Sequence, residues 1–474
     1  MMIKRVHYIL PFMAAGFLTA CTVGPDYKMP VTETAESFAQ GAQPEFSNSA
    51  VEALWWKLFQ DQQLTNLVEE TIKHNHDLAA ATANLQEARA LYLQAEVNLA
   101  PSVTSRASYT DQLRSTGSLN NRTFAPRELK LYSTGFDAAW EVDLFGRSRR
   151  NLEASSAEVE MQEANLKDVG VSLIAEVARN YFALRGMQNQ LAVLKQNVEN
   201  QQQTLEITQV KVKNGRGTEL DTARAAAQLD STRAAIPTAE TAISLAIHRL
   251  SVLTGQYPNA LAEKLLPVVA MPKLPEIVAI GNPADLLRRR PDVKMVERRL
   301  AASTARIGVA TADLFPKVTF GGAISLEASS LSGFGAAGAL AYSMGPRISW
   351  AAFDLGRVYT RIKVADAHAE ADLASYEQTV LNVLEETENA LVSYNRIRAK
   401  QDLLAAAVKS SLKAHDLAKL RFNAGVTDFL TVLDSESRLL QQQNQLSETQ
   451  TATATALVAV YKALGGGWEA SSQE

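Results

Sequence analysis

The sequence predicts a mixed fold in which a membrane β-barrel is combined with long α-helices, and in which one long structural unit occurs twice. Three observations in the chain of 474 residues predict it. Many residues recur at a fixed spacing, short segments alternate apolar and polar side chains, and two proline-free helical segments are unusually long. Such a duplication is typical of a large quasi-symmetric assembly and does not suggest an enzyme pocket.

The duplication is visible as pairs of identical residues at two related offsets. Near the start of each copy the offset is 215 residues, and the pairs are Asp77 and Asp292, Leu85 and Leu300, Ala95 and Ala310, and Pro101 and Pro316. Farther along the offset is 210 residues, and the pairs are Gly135 and Gly345, Trp140 and Trp350, Gly146 and Gly356, Arg147 and Arg357, Gly215 and Gly425, and Leu220 and Leu430. One insertion between Pro101 and Gly135 explains the change of offset.

The two copies divide the chain into five expected segments. Residues 1–20 are expected to be a lipoprotein signal peptide, and residues 21–63 an acylated N-terminal segment. Residues 64–255 hold the first repeat, in the order helix, β-hairpin, long helix and return helix. Residues 256–284 form a linker, and residues 285–474 hold the second repeat with a C-terminal tail.

The first residues have the pattern of a bacterial export signal. Two basic residues precede an apolar run over residues 9–18, which is too short to cross a bilayer as a stable helix. The run leads into LTAC at residues 18–21, which resembles a lipobox and implies cleavage before Cys21 and acylation of that residue. Because Thr22 and not an aspartate follows, the usual sorting rule for lipoproteins implies the outer membrane. The alternative is an ordinary signal in which the cysteine is incidental.

Each repeat opens with a segment that favours a helix. The first helix is expected over Leu64–Leu99 and its counterpart over Asp285–Leu314. Both segments end just before a proline, Pro101 or Pro316, which disfavours helix at the residue that precedes it. In the second copy Pro291 lies near the start of the helix, where its missing N–H costs little.

Each repeat continues with two segments of period-two alternation, which is the signature of strands with one apolar face. Each segment has roughly ten residues, the length that a tilted strand needs to cross a bilayer. In the first copy the residues of one parity are Val103, Ser105, Ala107 and Tyr109, followed by Tyr132, Thr134, Phe136, Ala138, Trp140 and Val142. In the second copy they are Val318, Phe320, Gly322, Ile324 and Leu326, followed by Leu340, Tyr342, Met344, Ile348 and Trp350.

After each hairpin the pattern predicts a very long helix and a shorter return helix. The long helices are expected over Ser148–Lys213 and Val358–Asn423, and the return helices over Glu219–Leu253 and Thr431–Leu464. At 1.5 Å per residue the long helices reach about 100 Å, a length that no compact domain needs. We therefore expect coiled-coil-like struts.

Four membrane strands per chain are too few to form a barrel alone. An open sheet edge cannot face lipid because its N–H and C=O groups would remain unsatisfied, and the smallest usual barrel has about eight strands. Several chains must therefore share one barrel, and two, three or four chains are all compatible with the pattern.

Composition and motifs argue against several other classes of protein. The net charge of −4 gives no reason to expect nucleic acid binding, and the single cysteine excludes an intrachain disulfide. His74 and His76 form an isolated HxH near a helix start, where a solvated helix end is the expected interpretation and a metal ligand the alternative. Gly333–Gly338 matches GxGxxG, but a strand follows it, so we interpret it as a hairpin tip. No catalytic motif, metal site or cofactor is predicted.

Two glycine turns, each between a long helix and its return helix, are the candidate functional sites. Both turns are expected at the end of the molecule that is farthest from the strands. In each turn the glycine suits a left-handed position that ends a helix, and Thr218 or Asp428 can cap the helix that follows. The residues of interest in these turns are Gly215, Gly217, Leu220, Gly425, Thr427 and Leu430.

Several segments together resemble the TolC-like outer-membrane efflux proteins, and specifically the lipoprotein branch that is paired with RND pumps. The resemblance covers nearly the whole mature chain. The segments that carry it are Leu18–Cys21 with Gly24–Tyr27, Arg289–Val293 with Phe315–Pro316, Phe353–Arg357, Arg421–Phe422 with Gly425, Leu430 and Val432–Asp434, and the closing Tyr461–Trp468.

The resemblance implies a homotrimer with a 12-stranded barrel that is continued by a periplasmic α-barrel. It also implies that the two turns dock to a periplasmic adaptor served by a proton-driven inner-membrane RND pump. The family's constriction lies just inside the second turn, where Leu430 and Asp434 look like the ring residues. Where some members carry a further aspartate, this chain has Thr431. The alternative is that Asp434 pairs with an arginine on a neighbouring helix and that Leu430 is simply packed.

The function implied by the resemblance is a passive exit duct for drugs or other toxic small molecules. A duct for heavy-metal ions is the second interpretation, and His74 and His76 are its only support in the sequence. A purely structural envelope-spanning trimer without an open lumen, and an enzyme without a recognisable catalytic constellation, are the remaining alternatives.

Overall fold

The computed structural model describes residues 22–115, 117 and 127–468. Within these residues the chain divides into two compact units, each of which draws on both repeats. The first consists of the described parts of Met1–Val31, Asn84–Gln162 and Met295–Glu377, and the second of those of Thr32–Ala83, Glu163–Lys294 and Gln378–Glu474.

The helices and strands follow the order that the sequence predicts for each repeat. The strands are β1 (Phe46–Ser47), β2 (Ser102–Leu113), β3 (Glu128–Val142), β4 (Val278–Ala279), β5 (Lys317–Ala328) and β6 (Leu340–Ser349). The α-helices are α1 (Gln62–His74), α2 (His76–Val97), α3 (Arg147–Lys213), α4 (Glu219–Leu253), α5 (Ala262–Leu265), α6 (Pro283–Arg289), α7 (Pro291–Ala312), α8 (Leu355–Asn423) and α9 (Phe429–Ala463). The long helices α3 and α8 have 67 and 69 residues. Among the described helices, none is both long and apolar enough to pass through a bilayer.

Four strands of the first unit form one antiparallel sheet in the order β2, β3, β5, β6. The pairing of β3 with β5 joins the hairpin of the first repeat to that of the second. The prediction of four strands with period two is thus confirmed, although Trp350 lies one residue beyond the end of β6.

The register of the sheet separates an apolar face from a polar one. Val103 lies opposite Ala138, which continues across β5 and β6 to Gly322 and Met344. Large apolar side chains on this face are exposed in the single chain, namely Val103, Phe136, Trp140, Phe320, Ile324, Tyr342, Met344 and Ile348. The other face carries polar residues such as Arg106 and Asp137, whose charged groups are 3.1 Å apart. A sheet with these two exposed faces fits a contact with lipid on one side and with water on the other.

Two equivalent tryptophans, Trp140 and Trp350, connect the sheet by hydrogen bonds to the ends of α2 and α7. The indole N–H of Trp140 donates to the carbonyl of Leu99 at 2.9 Å, and that of Trp350 donates to the carbonyl of Leu314 at 2.9 Å. Each carbonyl lies just after the end of a helix, where it lacks an intrahelical partner. The same bond in both repeats explains why a tryptophan occurs at each of these positions.

The opening helix of each repeat is broken, which corrects the prediction of two continuous helices. In place of Leu64–Leu99 the chain forms α1 and α2, because Asn75 is extended and its side-chain oxygen accepts the N–H groups of Asp77 and Leu78. In place of Asp285–Leu314 it forms α6 and α7, because Arg290 precedes a proline and is pushed out of the helical region.

The second unit has an aromatic core where the segment before α1 meets the middle of α3 and the C-terminal end of α9. The ring of Trp55 stacks on that of Tyr461 with centroids 5.1 Å apart, and Phe59 meets Phe182 at 4.8 Å. All four side chains are buried. The cluster therefore ties the segment before α1 to α3 and α9. The short strands β1 and β4 also pair in this unit.

Candidate functional site: two helical turns and an aperture

The first candidate turn joins α3 to α4 and has the hydrogen bonds of a Schellman motif. Gly215 adopts a left-handed conformation with φ of +70°. Its N–H donates to the carbonyl of Val212 at 3.0 Å, and the N–H of Arg216 donates to that of Lys211 at 2.9 Å. These bonds satisfy carbonyls that the end of α3 would otherwise leave unpaired.

The second candidate turn joins α8 to α9 with the same geometry. Gly425 has φ of +76°, and its N–H donates to the carbonyl of Phe422 at 3.1 Å. The N–H of Val426 donates to the carbonyl of Arg421 at 2.9 Å. A Cβ atom on Gly215 or Gly425 would meet nothing within 4 Å, so the backbone conformation, and not a lack of space, requires glycine here.

Both return helices begin with a side-chain cap, and the predicted caps Thr218 and Asp428 are confirmed. The hydroxyl of Thr218 accepts the N–H of Asp221 at 3.3 Å, and the carboxylate of Asp221 accepts the N–H of Thr218 at 3.1 Å. The carboxylate of Asp428 accepts the hydroxyl of Thr431 at 2.7 Å and its N–H at 3.0 Å. These bonds lower the pKa of the Asp428 carboxyl, and the nearby Arg224 lowers it further.

The two turns present equivalent positions to solvent. Gly215 and Gly425 are exposed, and the side chains of Leu220 and Leu430 are 56% and 50% exposed. The intervening positions, Gly217 and Thr427, are half-buried in both turns. The six residues singled out in the sequence thus form two similar surfaces, each with one exposed leucine beside a rigid turn.

The turns also pack against each other through a buried cluster, of which the sequence singled out only Phe422 and Val432. Phe429 and Val432 of α9 are buried with Ala225 of α4 and Ala418 of α8, and Phe422 packs against this cluster. The ammonium group of Lys211 donates to the carbonyl of Phe422 at 3.0 Å. Burial lowers the pKa of Lys211. The periodic pattern of α9 could have identified Phe429 as a core residue, whereas nothing in the sequence indicates the contact of Lys211.

The two candidate aperture residues lie one turn apart at the start of α9. Leu430 is half exposed, and the Asp434 side chain is 60% exposed. The carboxylate of Asp434 is 3.0 Å from the guanidinium of Arg438, which is on the same helix and not on a neighbouring one. The ion pair is therefore a local one, and such an exposed pair contributes little to stability. The offset of 210 residues places Arg224 at the position that corresponds to Asp434.

The remaining candidates lie away from the turns. His74 is an exposed residue 3.6 Å from Glu70, and the described residues contain no group of three or more side chains that could hold a metal ion. Cys21, the predicted lipidation site, lies outside the described residues.

Comparison with known proteins identifies the family. The sequence model of the family described as "Outer membrane efflux protein" matches residues 67–256 and 282–466, one segment in each half of the chain. The chain belongs to this family. Members of the outer membrane efflux protein family are channels of the outer membrane that serve efflux pumps, and they are not enzymes.

Individual members of the family resemble the chain over almost its whole length. The solved structure of the outer-membrane channel OprN has a TM-score of 0.89 and 42% identity, and covers 95% of this chain and 100% of that one. The "Cation efflux system protein CusC" of Escherichia coli (strain K12) is 29% identical over 97% of this chain and 99% of its own. The "Solvent efflux pump outer membrane protein SrpC" of Pseudomonas putida is 28% identical over 98% of both chains. The fold is therefore that of the TolC-like channels, in which trimers form a membrane β-barrel continued by an α-helical barrel.

Proposed function

We propose that this chain is the outer-membrane exit duct of a tripartite efflux pump, and that it passively conducts drugs or other toxic small organic molecules to the outside. It receives them from a periplasmic adaptor that is served by an inner-membrane RND pump. The observation that supports this most directly is the pair of exposed turns at Gly215 and Gly425, which share one backbone geometry at the ends of helices of 67 and 69 residues.

The turns suit the binding of a partner because they are already ordered. Their terminal carbonyls are paired and the following helices are capped, so little conformational entropy remains to be lost on docking. Leu220 and Leu430 add an exposed apolar side chain to each turn. Two similar surfaces in each protomer of a homotrimer give six, so an adaptor could use one binding mode repeatedly.

The aperture belongs to the same proposal. In a trimer, Leu430 would form an apolar ring and Asp434 a ring of three carboxylates one helical turn away. The apolar ring would resist wetting, and the acidic ring would attract cations. Because Arg438 lies 3.0 Å from Asp434, it would partly neutralise the acidic ring.

The outer membrane would hold the chain in two ways. The apolar face of the four-stranded sheet would contact lipid, and acyl chains on Cys21 would add an independent anchor, since each buried CH₂ group contributes ~0.8 kcal/mol. Mass spectrometry of the mature protein tests the second anchor, because an unmodified N-terminus elsewhere would contradict it.

Export of metal ions is the alternative function, and the similarity to CusC favours it. Overall identity does not separate the two substrate classes, because CusC and SrpC are 29% and 28% identical to the chain. A duct needs no tight metal site, so export measurements distinguish the two substrate classes.

A complementation experiment tests the function and the substrate class together. The gene is deleted in the source bacterium, and retention of a fluorescent organic dye and of copper(I) is measured. We expect the deletion strain to retain the dye, the wild-type gene to restore export, and Gly425→Val to fail because a β-branched residue is strained at φ of +76°. Ala424→Val is the matched control, since it adds bulk at the adjacent exposed position.

The outcomes separate the proposals. Retention of copper alone would support the metal alternative, and retention of neither substrate would contradict an efflux function. If Gly425→Val also removed the trimer from the outer membrane, its failure would be a folding defect and not a loss of docking.

A further inference from the structure

The first described residues of the chain are held against the first unit by a buried arginine. The Nε of Arg150 donates to the carbonyl of Val23 at 3.1 Å, and a terminal nitrogen donates to that of Gly24 at 3.3 Å. The same nitrogen is 2.7 Å from a carboxylate oxygen of Asp26. The side chain of Arg150 is only 4% exposed, whereas that of Asp26 is 82% exposed. A solvent-facing segment therefore supplies most of the partners of a buried cation.

Two glycines let the segment lie directly on the backbone beneath it. A Cβ atom on Gly24, which has φ of +88°, would be 2.4 Å from the Cα atom of Gly308 in α7. A Cβ atom on Gly146, which has φ of +82°, would be 2.7 Å from the side chain of Thr22. Gly146 lies between the end of β3 and the start of α3, so Thr22 is seated beside the end of the sheet.

The segment is held at a second point by Tyr27. Its hydroxyl donates to a carboxylate oxygen of Glu297 at 2.5 Å, and Arg298 lies over its ring at 5.4 Å. Tyr27 also packs on a cluster of small side chains formed by Ala157, Ala301 and Ala302. Burial and the bond to Glu297 both raise the pKa of Tyr27. The motif Gly24-Pro25-Asp26-Tyr27 is thus accounted for by contacts of three of its four residues.

We propose that residues 22–27, which we call the strap, dock in this site and fix the start of the mature chain beside the end of the sheet, with Arg150 as the positioning residue. Without the strap the guanidinium would keep Glu153 as an ion-pair partner but would lose its contacts with Val23, Gly24 and Asp26. Removing most partners of a buried charge is strongly unfavourable, so the site is built to be occupied.

The strap determines where a lipid anchor enters the bilayer. Cys21 is joined directly to Thr22, and adjacent Cα atoms are about 3.8 Å apart. Acyl chains on Cys21 would consequently enter the membrane next to the apolar face of the sheet, and not at a point set by a free tether. This last consequence rests on the lipidation proposed above, whereas the docking of the strap does not.

Limited proteolysis of the full-length protein in lipid vesicles tests the strap. Trypsin cleaves after Lys28, and mass spectrometry measures how fast the peptide of residues 21–28 is released. We expect Arg150→Gln to release it at least tenfold faster than wild type. Arg147→Gln is the matched control, because the ion-pair partners of Arg147 are Glu141 and Asp313, which lie outside the strap, and we expect an unchanged rate.

A second variant keeps the test valid if Arg150→Gln does not assemble. Asp26→Asn changes only an exposed side chain of the strap, so it cannot damage the core, and we expect release severalfold faster than wild type. The proposal is overturned if an assembled Arg150→Gln trimer releases the peptide at the wild-type rate. If that trimer is not obtained, release at the wild-type rate from Asp26→Asn overturns it.

The same experiment separates docking from lipidation. An acylated peptide stays with the vesicles after cleavage, and an unmodified peptide appears in the supernatant. The Cys21→Ser protein should show the same dependence on Arg150 with the peptide in the supernatant. If the wild-type peptide is also found in the supernatant, the lipid part of the proposal fails, while the docking of the strap by Arg150 stands. Neither readout depends on efflux.

Discussion

The two glycine turns have nearly identical backbones and different side chains. Both end a long helix with the same pair of Schellman hydrogen bonds and begin the next helix with a side-chain cap. At positions related by 210 residues, however, Glu219 corresponds to Phe429 and Arg224 to Asp434. The comparison shows that the glycine which ends the long helix recurs in both copies and that a side-chain cap occupies the same position with a different residue, while the residues that determine packing and charge do not recur.

Because of this difference, the two turns are stabilised by different interactions. The second turn contributes the buried Phe429 and the acidic aperture candidate Asp434, whereas the equivalent residues of the first turn are the exposed Glu219 and the partly buried Arg224, both of which are charged. The start of α9 should therefore depend mainly on the buried cluster around Phe429, and the start of α4 mainly on its backbone and cap. The predictions that follow compare equivalent positions of the two turns.

The largest difference is expected at the apolar anchor. Phe429→Ala removes a buried ring that contacts Phe422 at 5.5 Å between centroids. It should lower the free energy of local opening at the start of α9 by about 3–5 kcal/mol. Glu219→Ala, at the equivalent position of the first turn, should change the opening of α4 by less than about 0.5 kcal/mol. Amide hydrogen exchange measures both, and equal effects would show that the two turns are packed alike.

Substitution of the turn glycines, in contrast, should change the local opening free energy equally in both turns. Gly215→Ala and Gly425→Ala each place a side chain at positive φ in open space, so only the backbone conformation is penalised. Each substitution should reduce the local opening free energy by about 1–2 kcal/mol. Exchange of the amides of Arg216 and Val426, which donate the longer-range Schellman bonds, reports the effect. A clear inequality would mean that the shared backbone geometry is not the main constraint.

Much of this architecture is predictable because its causes are local in sequence. Alternation of side chains predicts the sheet, long runs without proline predict α3 and α8, and a glycine followed by Thr218 or Asp428 predicts the turns. The breaks at Asn75 and Arg290 escape this reasoning, because helix-favouring residues continue on both sides of each break. In the second copy Pro291 signals not only the start of α7 but also the break at Arg290, because a proline disfavours helix at the residue before it.

The contacts of the sites are less predictable because they join distant residues. Arg150 and Asp26 are 124 residues apart in sequence, and Lys211 and Phe422 are 211 apart. No periodicity relates such pairs. In the alternative to an aperture, Asp434 pairs with an arginine on a neighbouring helix, whereas in the structure it pairs with Arg438, four residues later on the same helix, a spacing that the sequence already contains. The roles of Leu430 and Asp434 as an aperture, and of the turns in docking, remain predictions.

The caps should differ in their dependence on pH. Thr218→Ala should destabilise the start of α4 by about 1 kcal/mol at any pH near neutrality, because a hydroxyl does not titrate there. The Asp428 carboxyl has a pKa below its usual value, so its contribution is complete above about pH 4 and is lost as the pH falls through the folded-state pKa. Hydrogen exchange at the amide of Thr431, corrected for intrinsic rates, should show this loss. Asp428→Asn should remove the pH dependence while it keeps the cap.

The smallest effects are expected for the exposed charges at the aperture, and they are best measured as ion selectivity. Leu430→Ala should raise the resting conductance in a planar bilayer and admit vancomycin to cells, because it widens the proposed apolar ring. With the channel conducting in this background, Asp434→Ala should lower the cation-over-anion permeability ratio by roughly two- to fivefold.

The ion pair of Asp434 supplies a control of opposite sign. Arg438→Ala removes the guanidinium that lies 3.0 Å from the carboxylate and should raise the same permeability ratio, since it frees the acidic ring. Arg224→Ala, at the equivalent position of the first turn, should change the ratio less than Asp434→Ala if only the second turn lines the aperture. Opposite shifts from the two partners of one ion pair are hard to obtain unless that pair faces the permeating ions. If Asp434→Ala and Arg438→Ala both leave selectivity unchanged, and Leu430→Ala leaves cells impermeable, the constriction lies elsewhere in the channel.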